Sequence, residues 1–169
     1  HALTYSDSNS TDPSTATRTV SVTVNDGDGA TSSSANVSIS VVAVNDPPTL
    51  SATGNTPTYT ENGSAVDLFS SVSVSTVEAG QTITSLTLTA ANLADGTSEI
   101  LHMDGTDIAL TNGNSGTTAT NSMSYSVSLS GSTATITLSK GGGISGAAAA
   151  TLVDGITYRD SSENPNTTN

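Results

Sequence analysis

Apolar and polar residues alternate with a period of two along much of this chain. Val20, Val22 and Val24 interleave with Thr19, Ser21 and Thr23, and Val37, Ile39, Val41 and Ala43 with Ser38, Ser40 and Val42. The same period runs through Leu86, Leu88 and Ala90, through Met123, Tyr125, Val127 and Leu129, and through Ala134, Ile136 and Leu138. Successive side chains of a strand point to opposite faces, so each run builds one apolar face and one hydroxyl-rich face. Runs of this kind, broken by Gly, Asn, Asp and Ser, predict an all-β chain folded as an Ig- or cadherin-like β-sandwich. Residues 25–29 (Asn-Asp-Gly-Asp-Gly) separate two alternating runs as a hairpin loop, and Asp95-Gly96, Asp104-Gly105 and Asn112-Gly113 punctuate the middle. Residues 145–155 break the pattern: Ser145 is an N-cap, four alanines follow, and Gly155 closes the segment, which predicts one short helix bridging the sheets.

Composition narrows the function. The 169 residues carry 15 acids against three Lys and Arg, a net charge of −12, with no Cys, no Trp and abundant Ser and Thr. Without cysteine there is no disulfide framework, thiol redox centre or Cys-based zinc site. A surface this acidic repels phosphate backbones, which excludes nucleic-acid binding. No apolar run approaches the roughly 20 residues that span a bilayer, and the N-terminus does not read as a signal peptide. Low hydrophobicity with excess charge is also the signature of disorder, but the regular alternation argues for folding.

The two ends share a motif. Residues 3–8 (Leu-Thr-Tyr-Ser-Asp-Ser) match residues 156–161 (Ile-Thr-Tyr-Arg-Asp-Ser), with Tyr5 and Tyr158, and Asp7 and Asp160, each 153 positions apart. The following segments, Asn9 to Pro13 and Ser162 to Pro165, align with one gap. A fixed offset between similar segments indicates tandem repetition. The period is then cut inside a domain, with the seam in residues 43–50, where Asn45-Asp46-Pro47-Pro48 stops a strand and stiffens the chain. Residues 1–46 are expected to be the C-terminal strands of one repeat. Residues 47–169 are expected to be the N-terminal and central part of the next, without its closing strands.

The segment VTVNDGDGATSSSANVSISVVAVNDPPTL resembles the closing strands and linker of bacterial cadherin-like repeats in giant RTX-type adhesins. VSVSTVEAGQTITSLTLTAANLADGTSEILHMDGTDIAL and AAAATLVDGITYRDSSENP are similar to the body of a long-repeat subclass, so the resemblance covers nearly the whole chain. It implies a structural extender of a type I secreted adhesin on the outer surface of a Gram-negative bacterium. That module would be stiffened by Ca2+ at repeat junctions and support cell adhesion or biofilm formation, with neighbouring repeats as partners.

By the resemblance, calcium would be held by the linker residues Asn45 and Asp46, by Glu61 early in the following domain, and by acids in loops at the adjoining pole. Those acids are Glu78, where related repeats often carry two, Asp160 and Glu163, with Asp7 and Asp12 in the equivalent earlier loop. Calcium takes six to eight oxygen ligands with loose geometry, which loop carboxylates, amides, backbone carbonyls and water supply together. The alternative is that these acids are merely solvated. Asp26 and Asp28 open like an EF-hand loop, but the later ligands are missing, and a hairpin turn explains them. Residues 141–143, three glycines without a phosphate-loop lysine, read as a flexible turn, and His102 as a surface residue near a strand end. Ser145 lacks the Gly-x-Ser-x-Gly frame of a nucleophile elbow. The Asn-x-Ser/Thr triplets, among them Asn166-Thr167-Thr168, carry little information in a chain so rich in hydroxyls.

No acid–base pair, nucleophile or cofactor motif is visible, so an enzyme is not expected. A glycan- or ligand-binding sandwich is the alternative function, disfavoured by the scarcity of aromatic platforms. A hairpin cut from its sandwich exposes an apolar face and two edges. Head-to-tail self-association is therefore expected, residues 1–46 of one molecule completing residues 49–169 of another.

Overall fold

The computed structural model describes residues 2–166, so the triplet Asn166-Thr167-Thr168 runs beyond the described residues. The chain divides into two compact units, residues 1–47 with Val77–Ala79, and residues 48–76 with 80 onward. The described residues are all-β and sandwich-like, with one short α-helix.

In the first unit β1 (Arg18–Val22) pairs antiparallel with β2 (Ala35–Ile39). The register sets Val20 opposite Val37, Val22 opposite Ala35 and Arg18 opposite Ile39, while Thr19 and Ser21 face Ser38 and Asn36. One face of the hairpin is thus apolar and the other polar, as the period-two pattern requires. The strands are shorter than the alternation suggests. Beyond Val22 the ladder becomes irregular, with Val24 bonding to Ser32, and the chain enters the loop. That loop is a turn built on side-chain caps: the Gly27 N–H donates to Asn25 Oδ1 at 2.8 Å and the Asp28 N–H to Asp26 Oδ1 at 3.0 Å. Gly27 and Gly29 take the left-handed φ values that such a turn needs.

The second unit holds the core. One sheet has the order β6-β11-β10-β9, built from β6 (Ile83–Ala90), β9 (Ser115–Thr117), β10 (Ser124–Ser130) and β11 (Thr133–Ile144). Another has the order β4-β12-β7-β8, from β4 (Val66–Asp67), β7 (Glu99–Met103), β8 (Thr106–Ala109) and β12 (Thr157–Asp160). A third pairs β3 (Thr49–Gly54) with β5 (Phe69–Ser75). The alternation of β11 buries Ala134, Ile136 and Leu138 completely, against Met103, Ile108, Met123 and Ile156. Helix α1 (Gly146–Asp154) follows, with the Ser145 hydroxyl accepting from the Ala148 N–H at 3.1 Å. The helix buries Ala149, Leu152 and Val153, and Gly155 ends it without a left-handed φ.

The glycine run is not a flexible turn. Residues 141–143 belong to the second half of β11, where a register shift between Ser139 and Ile144 bulges the strand against β6. Gly143 lies at φ +65° beside Thr82, space that a Cβ would invade. Asp104 and Gly105, at φ +51° and +75°, form the two-residue turn between β7 and β8. Asp104 is buried and well satisfied: it accepts from the Thr118 hydroxyl, from the Asn121 N–H at 3.1 Å and from Asn121 Nδ2 at 2.5 Å.

Candidate functional site

The acids nominated from the sequence fall into both units. In the first, the linker and the Val77–Ala79 segment are drawn together: the Asp46 N–H donates to Glu78 Oε1, and the Ala79 N–H donates to Asp12 Oδ2 at 3.3 Å. Asn45 donates its amide to the Asp46 carbonyl at 3.3 Å. Val77, beside Glu78, sits at φ +69°, a conformation that costs a β-branched residue on the order of 1–3 kcal/mol. Asp7 instead meets Arg18 at 3.5 Å and the Tyr5 hydroxyl at 3.4 Å. Asp12 and Glu78 are thus tied to the backbone of Ala79 and of the linker residue Asp46, while Asp7 is engaged by its own cation.

In the second unit, Glu61 and Glu163 are exposed. Glu61 lies in a tight turn closed by the Gly63 N–H on the Thr60 carbonyl at 2.8 Å. Asp160, only 5% exposed at the end of β12, has companions that the sequence did not single out. Burial, with the Asp95 carboxyl beside it, pushes its pKa above the usual carboxylate value. Buried Glu99 stands across the β7–β12 ladder from Asp160; it accepts from the N–H groups of Ala94 and Asp95 at 2.9 and 3.1 Å and from the Tyr158 hydroxyl at 3.2 Å. Burial and the charges of Glu99 and Asp160 push the Tyr158 phenol well above its usual range. Tyr59 stacks edge-on against Tyr158, ring centroids 5.8 Å apart, and donates to the Asp160 carbonyl at 2.5 Å. The signals for Asp95 and Glu99 were a turn and a strand start; pairing β7 with β12 is what brings them to Asp160.

His102 is on β7, opposite Asp107 on β8, and half-buried. Asp107 lies 2.7 Å from His102 and 2.8 Å from Arg159, and these two partners hold its carboxyl below the ordinary value.

The second unit also contains an apolar cleft of about 880 Å³. Leu50, Phe69, Leu86, Leu88, Leu101 and Val153 line it, and Asp95, Glu99 and Asp160 add acid. Its cause is the sheet order. Among the described residues β6 is an edge strand, paired only with β11, and every residue from 85 to 90 borders the cleft. Ala134, Ile136 and Leu138 are fully buried, yet their cross-strand partners Ala90, Leu88 and Leu86 remain partly open.

Among the described residues, no group of three or more His, Cys, Asp and Glu is arranged to hold a metal ion. No helix is long and apolar enough to cross a membrane. Compared with family models, curated proteins and solved structures, the chain finds no match.

Proposed function

We propose that this chain is a structural repeat unit of a tandem cell-surface adhesin, of the bacterial cadherin-like kind its sequence resembles, and that Ca2+ stiffens it at the Asn45-Asp46 linker. The observation that carries the repeat reading is the unequal burial of two copies of one motif. Ile156 is fully buried, whereas its counterpart Leu3 is 78% exposed. Tyr158 and Asp160 are built into β12 among Tyr59, Asp95 and Glu99, whereas Tyr5 and Asp7 meet little beyond Arg18. One sequence motif thus occurs once inside a core and once without one, as expected of a repeat whose units complete one another along an array.

The calcium part rests on donor chemistry. Asp12, Asn45, Asp46 and Glu78 offer only oxygen and amide groups, a set that suits a hard cation, with backbone carbonyls and water to complete its shell. A bound ion would neutralise acids in a chain with a net charge of −12. The residues here would hold the ion, and the linker and loop would then move as one body.

Titration of chelator-treated protein with CaCl2, followed by calorimetry and thermal melting, tests this. A binding heat and a rising melting midpoint are expected, with about 2.7 kcal/mol of stabilisation once calcium reaches a hundred times its Kd. Glu78→Gln and Asp46→Asn should each weaken binding. A flat isotherm and an unmoved midpoint in millimolar calcium would remove the metal from the proposal and leave the repeat reading to stand on its own.

A further inference from the structure

We infer that the apolar cleft of the second unit is the seat of the β1–β2 hairpin from a second copy of this sequence. The inference rests on the repeat reading but not on calcium. Three observations converge on that occupant.

The first is the correspondence of position. Residues 157–160 form β12, which borders the cleft through Tyr158 and Asp160, and the chain then reaches the rim at Pro165 and Asn166. In the other copy of the motif the equivalent of Pro165 is Pro13, and β1 begins five residues later at Arg18. The segment that belongs next to the cleft in the repeat is therefore the one that forms the hairpin.

The second is the match of surfaces. The hairpin presents Val20, Val22, Val37 and Ile39 on one face, with Val22 47% and Val37 55% exposed, and its other face is Thr, Ser and Asn. The cleft presents Leu86 and Leu88 beside an edge strand of eight residues. At about 3.3 Å per residue that edge is long enough to pair with a five-residue strand along its full length. A strand added there would bond its backbone to β6 and turn alternate side chains into the cleft.

The third is charge. Arg18 stands at one end of the hairpin's apolar face, paired with Asp7. The repeat equivalent of Asp7 is Asp160, which lines the cleft together with Asp95 and Glu99. On docking, Arg18 exchanges Asp7 for Asp160 of the other copy. The contact joins two different surfaces, so it propagates head to tail instead of closing on itself.

Sedimentation and multi-angle light scattering of the full chain in EDTA, across a concentration series, provide the test. The expected result is a ladder of masses in multiples of 16.7 kDa that shifts to higher members with concentration. Val37→Lys spoils the hairpin and Leu88→Asp the cleft, and each should abolish the ladder. Mixed, the two variants retain one intact hairpin and one intact cleft, and should form a 1:1 dimer that grows no further. Arg18→Gln should weaken the association about tenfold. Because Val37 is exposed, Val37→Lys should keep the parent's circular dichroism, which guards against a misfolded control. A monomer at every concentration, whether its cleft is open or filled by its own hairpin, overturns the inference. So does a mixture of the two variants that yields no dimer. Since calcium is absent throughout, neither result bears on the metal.

Discussion

Asp160 shows how a single buried carboxylate couples this fold to pH. Asp104, also buried, is surrounded by hydroxyl, amide and backbone donors. Asp160 receives the Ser162 N–H at 2.8 Å, yet faces a second carboxyl, Asp95. Burial, with Asp95 beside it, therefore raises its folded pKa above the ordinary value of 3.8. Between those two values the folded state holds more protons than the unfolded one, so stability falls as pH rises through the window. The penalty is complete above the raised pKa and absent below 3.8. Asp160→Asn keeps an acceptor for Ser162 and removes the charge. In EDTA at low protein concentration, its urea midpoint should exceed the parent's at neutral pH, and the two should converge as pH falls below 3.8. A gap that stays constant across the acid range would assign the effect to packing instead of ionisation.

At the level of elements, what was legible in the sequence depends on how many faces each strand covers. β6, β10 and the first half of β11 alternate because one side is more open than the other, and they follow from the period of two, as do the short and mostly exposed β1 and β2. β7 does not: Glu99, Leu101 and Met103 are buried, Ile100 and His102 are half-buried, and the strand lies inside its sheet, so no clean period marks it. β3 carries only Leu50 and Ala52 as apolar residues and is exposed along its length. The acids near Asp160 were hidden for a related reason, because the ladder that assembles them joins residues about sixty positions apart. Helix α1 was readable from its cap, but the need for glycine at its first position was not. A Cβ on Gly146 would stand 2.7 Å from the Val74 carbonyl oxygen of β5, a backbone atom with little freedom to retreat. Gly146→Ala should therefore cost about 1–3 kcal/mol in chemical denaturation despite the better helix propensity of alanine. Gly142, with nothing within 4 Å of a Cβ, provides the control, and its alanine variant should stay within about 0.5 kcal/mol of the parent.

For the whole molecule, the distribution of burial sets a hierarchy of stability. Among the described residues every fully buried apolar side chain belongs to the second unit, from Leu101 through Ile156. Among the described residues the first unit relies on five ladder pairs, side-chain caps and one partly exposed ion pair, and a two-stranded hairpin of that kind is marginal in water. Hydrogen exchange should resolve the difference. In dilute protein the amides of β1 and β2 should exchange through small local openings, while those of β7 and the centre of β11 exchange only with global unfolding. Raising the concentration should then protect two segments together: β1–β2, and the Ile83–Ala90 edge that borders the cleft. Protection of the hairpin alone would point to a hairpin–hairpin contact, since that contact leaves β6 unchanged. Full protection of β1–β2 already in dilute solution would mean that the first unit is held by packing its burial does not reveal, and the hierarchy would fail.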